Sequence, residues 1–330
     1  MPAAGPAPAM PVPAGGGLPV DYWSTLAEPR GPVETAAAPE SGGAHEAALD
    51  LARFAALSYK PLPICEKILA RSGRKVAMSS IEGDDATRSG SSTQALVARE
   101  GSRVIVAFRG TEPTAIEDWL VDADFMLEAP APGDYVDPER GAGAEVHGGF
   151  HGALSSVIDR VGAQIGSAPQ VMLCGHSLGG ALAALCFARM LRQPTDELAH
   201  LTLCTFGAPR VGNRAFARAM NDRLADSADG PACAVHRFVN HRDLVPRVPP
   251  PQLGFQHFGN AHYFDRVGNL SADLEPDWAR ALDRIIGASE DFGAWLKGNL
   301  ADHAIGAYIQ RLERAAQFER RQLPSDQSLA

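Results

Sequence analysis

Val171-Met172-Leu173-Cys174-Gly175-His176-Ser177-Leu178-Gly179-Gly180-Ala181 constrains this chain more than any other stretch. The mostly apolar run at 171–175 predicts a buried strand, and residues 178–191 (LGGALAALCFARML) predict an apolar helix. Ser177 stands at the join, flanked by Gly175 and Gly179 in a G-x-S-x-G pattern. A strand that turns sharply into a helix forces its corner residue into a strained backbone geometry. Side chains two residues to either side would collide there, which is why glycine is needed. The corner lifts the serine hydroxyl clear of the sheet, and the helix N-terminus turns unpaired N–H groups toward it.

The surrounding pattern agrees. Strands at 103–108 (RVIVAF), 201–206 (LTLCTF) and 235–240 (VHRFVN) alternate with helices at 150–165, 178–191 and 214–225. That alternation predicts βαβ units, and so an α/β fold with a mostly parallel central sheet and helices on both faces. Upstream, residues 45–59 suit a core-packed helix through Leu49, Ala52, Phe54, Ala56 and Leu57. Residues 76–107 read as a β region, with a strand at 95–98 parted from 103–108 by the Glu100-Gly101-Ser102 turn. A helix-like piece is expected at 115–125, a mobile turn-rich loop at 130–143, a hairpin-like segment at 257–267 and mostly helix over 276–322. One domain over residues 45–322 follows, behind a Pro/Gly/Ala-rich leader at 1–44 read as disordered and ahead of a tail at 323–330.

Composition narrows the partners. A formal charge of −9 with no basic, aromatic-interleaved stripe argues against nucleic acid, and no apolar run approaches the length of a transmembrane span. The first 20 residues carry no Lys or Arg and have prolines at 2, 6, 8, 11 and 13, unlike a secretory signal. The five cysteines (Cys65, Cys174, Cys186, Cys204 and Cys233) lack metal-ligand spacing and fit buried free thiols. Together these features lead us to expect a cytoplasmic protein.

A serine hydroxyl becomes a nucleophile only when a base takes its proton and a third group orients that base. In doubly wound folds the acid and then the base follow the serine, each on a loop after a strand. Asp243, in RFVNHRDLVP directly after a strand, is the acid candidate. Three residues qualify as the base, namely His257, His262 and His303, and their order in the chain does not choose among them. Leu178 N–H, at the start of the nucleophile helix, is one expected oxyanion donor; Thr111, after RVIVAF, is the other. His147 and His151 are four apart, but glycines intervene and no Glu follows His147, so they do not read as a zinc helix.

With these residues on the page, the chain resembles the class 3 lipases, the fungal triacylglycerol lipase-like family of α/β-hydrolases. Val106-Ala107-Phe108-Arg109-Gly110-Thr111 is similar to the family's V-x-F-R-G-[ST], and Asp118-Trp119-Leu120-Val121-Asp122 to its [DN]-W-x-x-D. Val146-His147-Gly148-Gly149-Phe150, TFGAPRVGN at 205–213, RFVNHRDLVPRVPP and His257-Phe258-Gly259 match further motifs in the family's order. The resemblance implies Ser177 as nucleophile, Asp243 as acid, His303 in its D-H-x(4)-Y setting as base, and Thr111 and Leu178 as the oxyanion hole. It implies no cofactor and no metal, and a small-molecule or lipid ester as substrate. The segment after Thr111 corresponds to a lid making transient contact with a lipid surface. That segment (TEPTAIEDW) is polar, and the disulfides of secreted fungal members have no evident counterpart; both departures point away from a secreted, interface-activated enzyme. The expected activity is therefore carboxylester hydrolysis of glycerolipids or smaller esters. The alternatives are a phospholipase A1 or galactolipase acting on polar lipids, and a non-catalytic lipid-binding scaffold.

Overall fold

The structure, a computed structural model, describes residues 44–86, 92–112, 116, 125–226, 230–272 and 301–322. The expected leader but for Ala44, the tail, most of the helix-like piece at 115–125 and of the segment equated with a lid, and all of 276–300 lie outside the described residues.

Strand β3 (Arg103–Phe108) shows how the sheet is built. After its first residue it is buried throughout, as a strand covered on both faces must be. Val104, Val106 and Phe108 enter one apolar core, while Ile105 and Ala107 enter a second on the opposite face. This is the two-residue alternation of a pleated strand. Before it come helices α1 (Ala44–Leu57) and α2 (Leu62–Arg71) and strands β1 (Ala77–Ala86) and β2 (Ser92–Glu100). After it come β4 (Leu127–Glu128), β5 (Val146–His147), α3 (Gly148–Ser155), α4 (Ile158–Ile165), β6 (Gln170–His176), α5 (Leu178–Arg192) and β7 (His200–Phe206). Then follow β8 (Gly212–Asn213), α6 (Arg214–Ala225), β9 (Ala232–Asn240), β10 (Phe255–Gln256), β11 (Asn260–Phe264), β12 (Leu270–Ala272) and α7 (Ile305–Gln322).

Among the described residues eight strands form the main sheet in the order β1-β2-β3-β6-β7-β9-β11-β12. The centre, from β3 to β11, is parallel, and the edges β1, β2 and β12 are antiparallel. Helix α5 packs in the first core through Leu182, Leu185 and Phe187. Helices α1 and α7 pack together over the other face through Leu51, Phe54, Tyr308, Ile309 and Leu312. The result is the expected α/β architecture with helices on both faces. A small antiparallel sheet, β10-β8-β5-β4, lies beside it. All five cysteines are free thiols, four of them buried.

Four local readings change. The helix expected over 150–165 is two, because Ser155 Oγ and Ser156 Oγ bond back to the His151 and Ala153 carbonyls, both at 2.8 Å, in competition with the helical ladder. The break turns α4 so that Val161 and Ile165 reach the core. Helix α2, entered through a proline in its first turn, had no expected counterpart. The loop at 130–143, expected to be mobile, is fastened instead. Tyr135 enters the core and its hydroxyl lies 2.8 Å from His151 Nδ1, while Asp134 pairs with Arg189 at 2.7 Å. The hairpin expected at 257–267 is shifted: β11 pairs in parallel with β9 and turns through Asp265–Asn269 to meet β12, leaving His257 ahead of the strand.

Candidate active site

The turn from β6 into α5 puts Ser177 at φ 58°, ψ −132°, a left-handed backbone for a residue with a side chain. A Cβ on Gly175 would overlap the Gly179 backbone, and one on Gly179 would overlap the Phe108 carbonyl. Strands β3 and β6 and helix α5 thus meet too closely for side chains at those two positions. Ser177 N–H donates to the Phe206 carbonyl at 3.0 Å, tying the corner to β7. Ser177 is fully buried, and its Oγ makes no hydrogen bond to the described residues.

The end of β3 runs alongside this corner. A Cβ on Gly110 would lie 3.3 Å from Ser177 Cβ, so Thr111, the next residue and itself buried, follows directly from the nucleophile's side. The amides of Leu178 and Gly179 open α5 and have no intrahelical acceptor.

The acid and the base come from later elements. Strand β9 ends at Asn240, and the chain bends through His241 (φ 26°) to Asp243, whose N–H donates back to the Asn240 carbonyl at 2.7 Å. Asp243 Oδ1 accepts Val245 N–H at 3.0 Å, and Oδ2 accepts the Tyr308 hydroxyl. Tyr308 Oη in turn accepts Asn240 N–H at 3.1 Å. Burial, and then the adjoining Asp243 carboxylate, push the Tyr308 hydroxyl well above its ordinary range, so it stays a proton donor. His303 closes the 3₁₀ turn Ala301–His303 just ahead of α7, and its Nδ1 lies 3.0 and 2.9 Å from the two Asp243 oxygens. His303 Nε2 is buried with no hydrogen-bond partner among the described residues. Gly207 (φ 64°), at the end of β7, leaves room for this cluster. A Cβ there would stand 2.6 Å from Asp243 Oδ2 and 3.0 Å from both His303 Nδ1 and Tyr308 Oη.

Among the three histidines, the structure brings His303 onto Asp243. His257 is half-buried elsewhere, with Nε2 donating to the Pro246 carbonyl at 2.8 Å. His262 Nε2 faces His236 Nδ1 at 2.9 Å on neighbouring strands. His147 caps α3 and stacks on Phe150, and among the described residues no three His, Cys, Asp or Glu gather as metal ligands. The sequence reading missed Tyr59, His176, Gly207 and Asn240. Each owes its place to long-range packing rather than to local spacing, although Asn240 sits at a recognisable strand end.

A buried serine at a strand–helix corner, a carboxylate–imidazole pair on later loops and a mostly parallel sheet beneath them define the α/β-hydrolase class. The comparisons narrow this. The model of the class 3 lipase family matches residues 105–253 of this chain. It is 34% identical over 198 residues to a lipase of Rhizomucor miehei, covering 56% of this chain and 49% of that one. To a secreted mono- and diacylglycerol lipase of Malassezia globosa it is 30% identical over 181 residues, covering 52% and 55%. The chain thus spans about half the length of these curated relatives. Among solved structures, the Rhizomucor miehei lipase–propeptide complex superposes with a TM-score of 0.57 at 25% identity, covering 81% of this chain and 82% of that one. A triacylglycerol lipase whose catalytic centre is described as a serine protease triad gives 0.56 at 27%, covering 74% and 91%.

Proposed function

We propose that the protein is a serine carboxylester hydrolase acting on acyl esters of glycerolipids or smaller esters. The observation that carries this reading is that two buried atoms, Ser177 Oγ and His303 Nε2, lack hydrogen-bond partners among the described residues, while the Asp243 carboxylate lies on the other nitrogen of that imidazole. Asp243 accepts Nδ1–H and so leaves Nε2 as the basic nitrogen. His303 Nε2 takes the Ser177 proton as Oγ attacks the ester carbonyl. The tetrahedral oxyanion is held by the Leu178 N–H and by Thr111. His303 then returns the proton to the departing alcohol, leaving an acyl-serine, and water repeats the two steps to release the acid. Contact with a lipid surface is assigned to the segment after Thr111.

Hydrolysis of p-nitrophenyl esters from acetate to palmitate, wild type beside Ser177→Ala, tests the reading. Turnover lost in the variant supports it, and wild-type-like turnover in the variant overturns it. Fatty-acid release from phosphatidylcholine against release from triacylglycerol then separates a polar-lipid hydrolase from a neutral-lipid one.

A further inference from the structure

The main chain of His303 is held as closely as its ring. Asn240 Nδ2 donates to the Asp302 carbonyl at 2.8 Å, and His176 Nε2 lies 2.6 Å from the His303 carbonyl. A carbonyl oxygen only accepts, so His176 Nε2 carries a proton. Burial, and then the His303 ring with its centroid 4.6 Å away, hold the His176 imidazole well below its ordinary range, so the ring is neutral and its Nδ1 is an acceptor. Tyr59 Oη stands 2.9 Å from that Nδ1 and must donate to it. The same oxygen packs against Gly110, where a Cβ would overlap it, at the strand end that runs into Thr111. Proton positions are therefore set from Tyr59 through His176 to the His303 carbonyl.

We propose that Tyr59 and His176 are a positioning pair: packed against the strand end before Thr111, they join the nucleophile corner and the main chain of the base into one hydrogen-bonded unit. The proposal rests on the serine-hydrolase reading. His303 sits on a turn of three residues, which by itself fixes a side chain poorly, while proton transfer demands placement to a fraction of an ångström. Tyr59 selects the His176 tautomer. Without its hydroxyl the Nδ1–H tautomer competes, and a nitrogen lone pair then faces the His303 carbonyl and pushes the base away. A neutral His176 also presents no like charge to the imidazolium that His303 becomes during the reaction.

Three variants test this: Tyr59→Phe, His176→Gln and the two combined. Each is compared with wild type for kcat and KM on p-nitrophenyl butyrate, for labelling by a fluorophosphonate and for melting temperature. A glutamine amide donates to the His303 carbonyl whatever Tyr59 does. Tyr59→Phe is expected to lower kcat by about tenfold with KM and melting temperature nearly unchanged, the scale of a misplaced proton-transfer geometry. His176→Gln keeps most of the wild-type kcat, and adding Tyr59→Phe to it costs nothing further. Wild-type kcat in Tyr59→Phe, a loss confined to KM, or the full Tyr59→Phe loss recurring in the His176→Gln background each overturn the pairing. A wild type that neither turns over esters nor reacts with the fluorophosphonate overturns the hydrolase reading and this proposal with it. An active, labelled wild type beside a silent Tyr59→Phe overturns the proposal alone.

Discussion

Asp243 Oδ2 lies 2.9 Å from His303 Nδ1, and both side chains are almost completely buried. A buried carboxylate needs donors, and this one has three: the His303 ring, the Tyr308 hydroxyl and the Val245 amide. The first depends on the imidazole tautomer that leaves Nε2 free to act as a base.

Asp243→Asn keeps the shape of the cluster but offers an amide where the carboxylate accepted. The His303 tautomer is then no longer held, and kcat on p-nitrophenyl butyrate is expected to fall by about a thousandfold or more, with the fold retained by circular dichroism. A variant within about tenfold of wild type would remove Asp243 from the role of orienting acid.

Tyr308→Phe removes one donor from Asp243 and leaves the buried Asn240 N–H without its acceptor. The expected cost is about 1–3 kcal/mol, read from the urea midpoint at constant m-value. An unchanged midpoint would mean that the two groups find water instead.

Burial, followed by the Arg237, Arg210 and Arg247 charges, holds His257 well below its ordinary value. The folded protein therefore binds this proton less readily than the unfolded chain, whose histidines titrate near about 6.5. The stability linked to His257 is fully present above that pH and is lost as pH falls below it, with a slope approaching about 1.4 kcal/mol per unit. His176 and His236, both shifted down by burial, contribute with the same sign. His257→Gln, whose amide can still donate to the Pro246 carbonyl, should flatten the decline between pH 7 and pH 5 by about one proton's worth. Parallel curves for the two proteins would contradict this.

Gly179→Ala and Gly152→Ala make a matched pair. The first drives a methyl group into the Phe108 carbonyl, while the second meets nothing within 4 Å in α3. Gly179→Ala is expected to destabilise by on the order of 3 kcal/mol or to abolish soluble expression. Gly152→Ala should be neutral or stabilising by about 0.5–1 kcal/mol, as alanine favours helix. Equal melting temperatures would show that the corner at Ser177 tolerates a side chain.

These predictions divide along what the chain displays locally. Ser177, its two glycines and the strands RVIVAF and LTLCTF were legible because strand burial and the strand–helix corner leave their marks within a dozen residues. Asp243 was legible as the acidic residue following a strand. The base was not legible from order alone. His257, His262 and His303 differ only in what long-range folding brings to them, and a gap of 60 residues separates His303 from Asp243. Tyr59 and His176 escaped notice for the same reason, since their contact spans 117 residues. The single helix expected at 150–165 failed on a local competition, in which two serine hydroxyls capture backbone carbonyls. The loop at 130–143 looked mobile because its composition is that of turns, and composition does not reveal that Tyr135 is buried.

Reaction with a fluorophosphonate, followed by mass spectrometry of the digested protein, tests the central claim most directly. The account predicts one adduct, on the peptide carrying Ser177, at one equivalent per chain, with the rate greatly reduced in His303→Ala and Asp243→Asn. Labelling at a different serine, or an inert Ser177 in a folded protein that still hydrolyses esters, would contradict it.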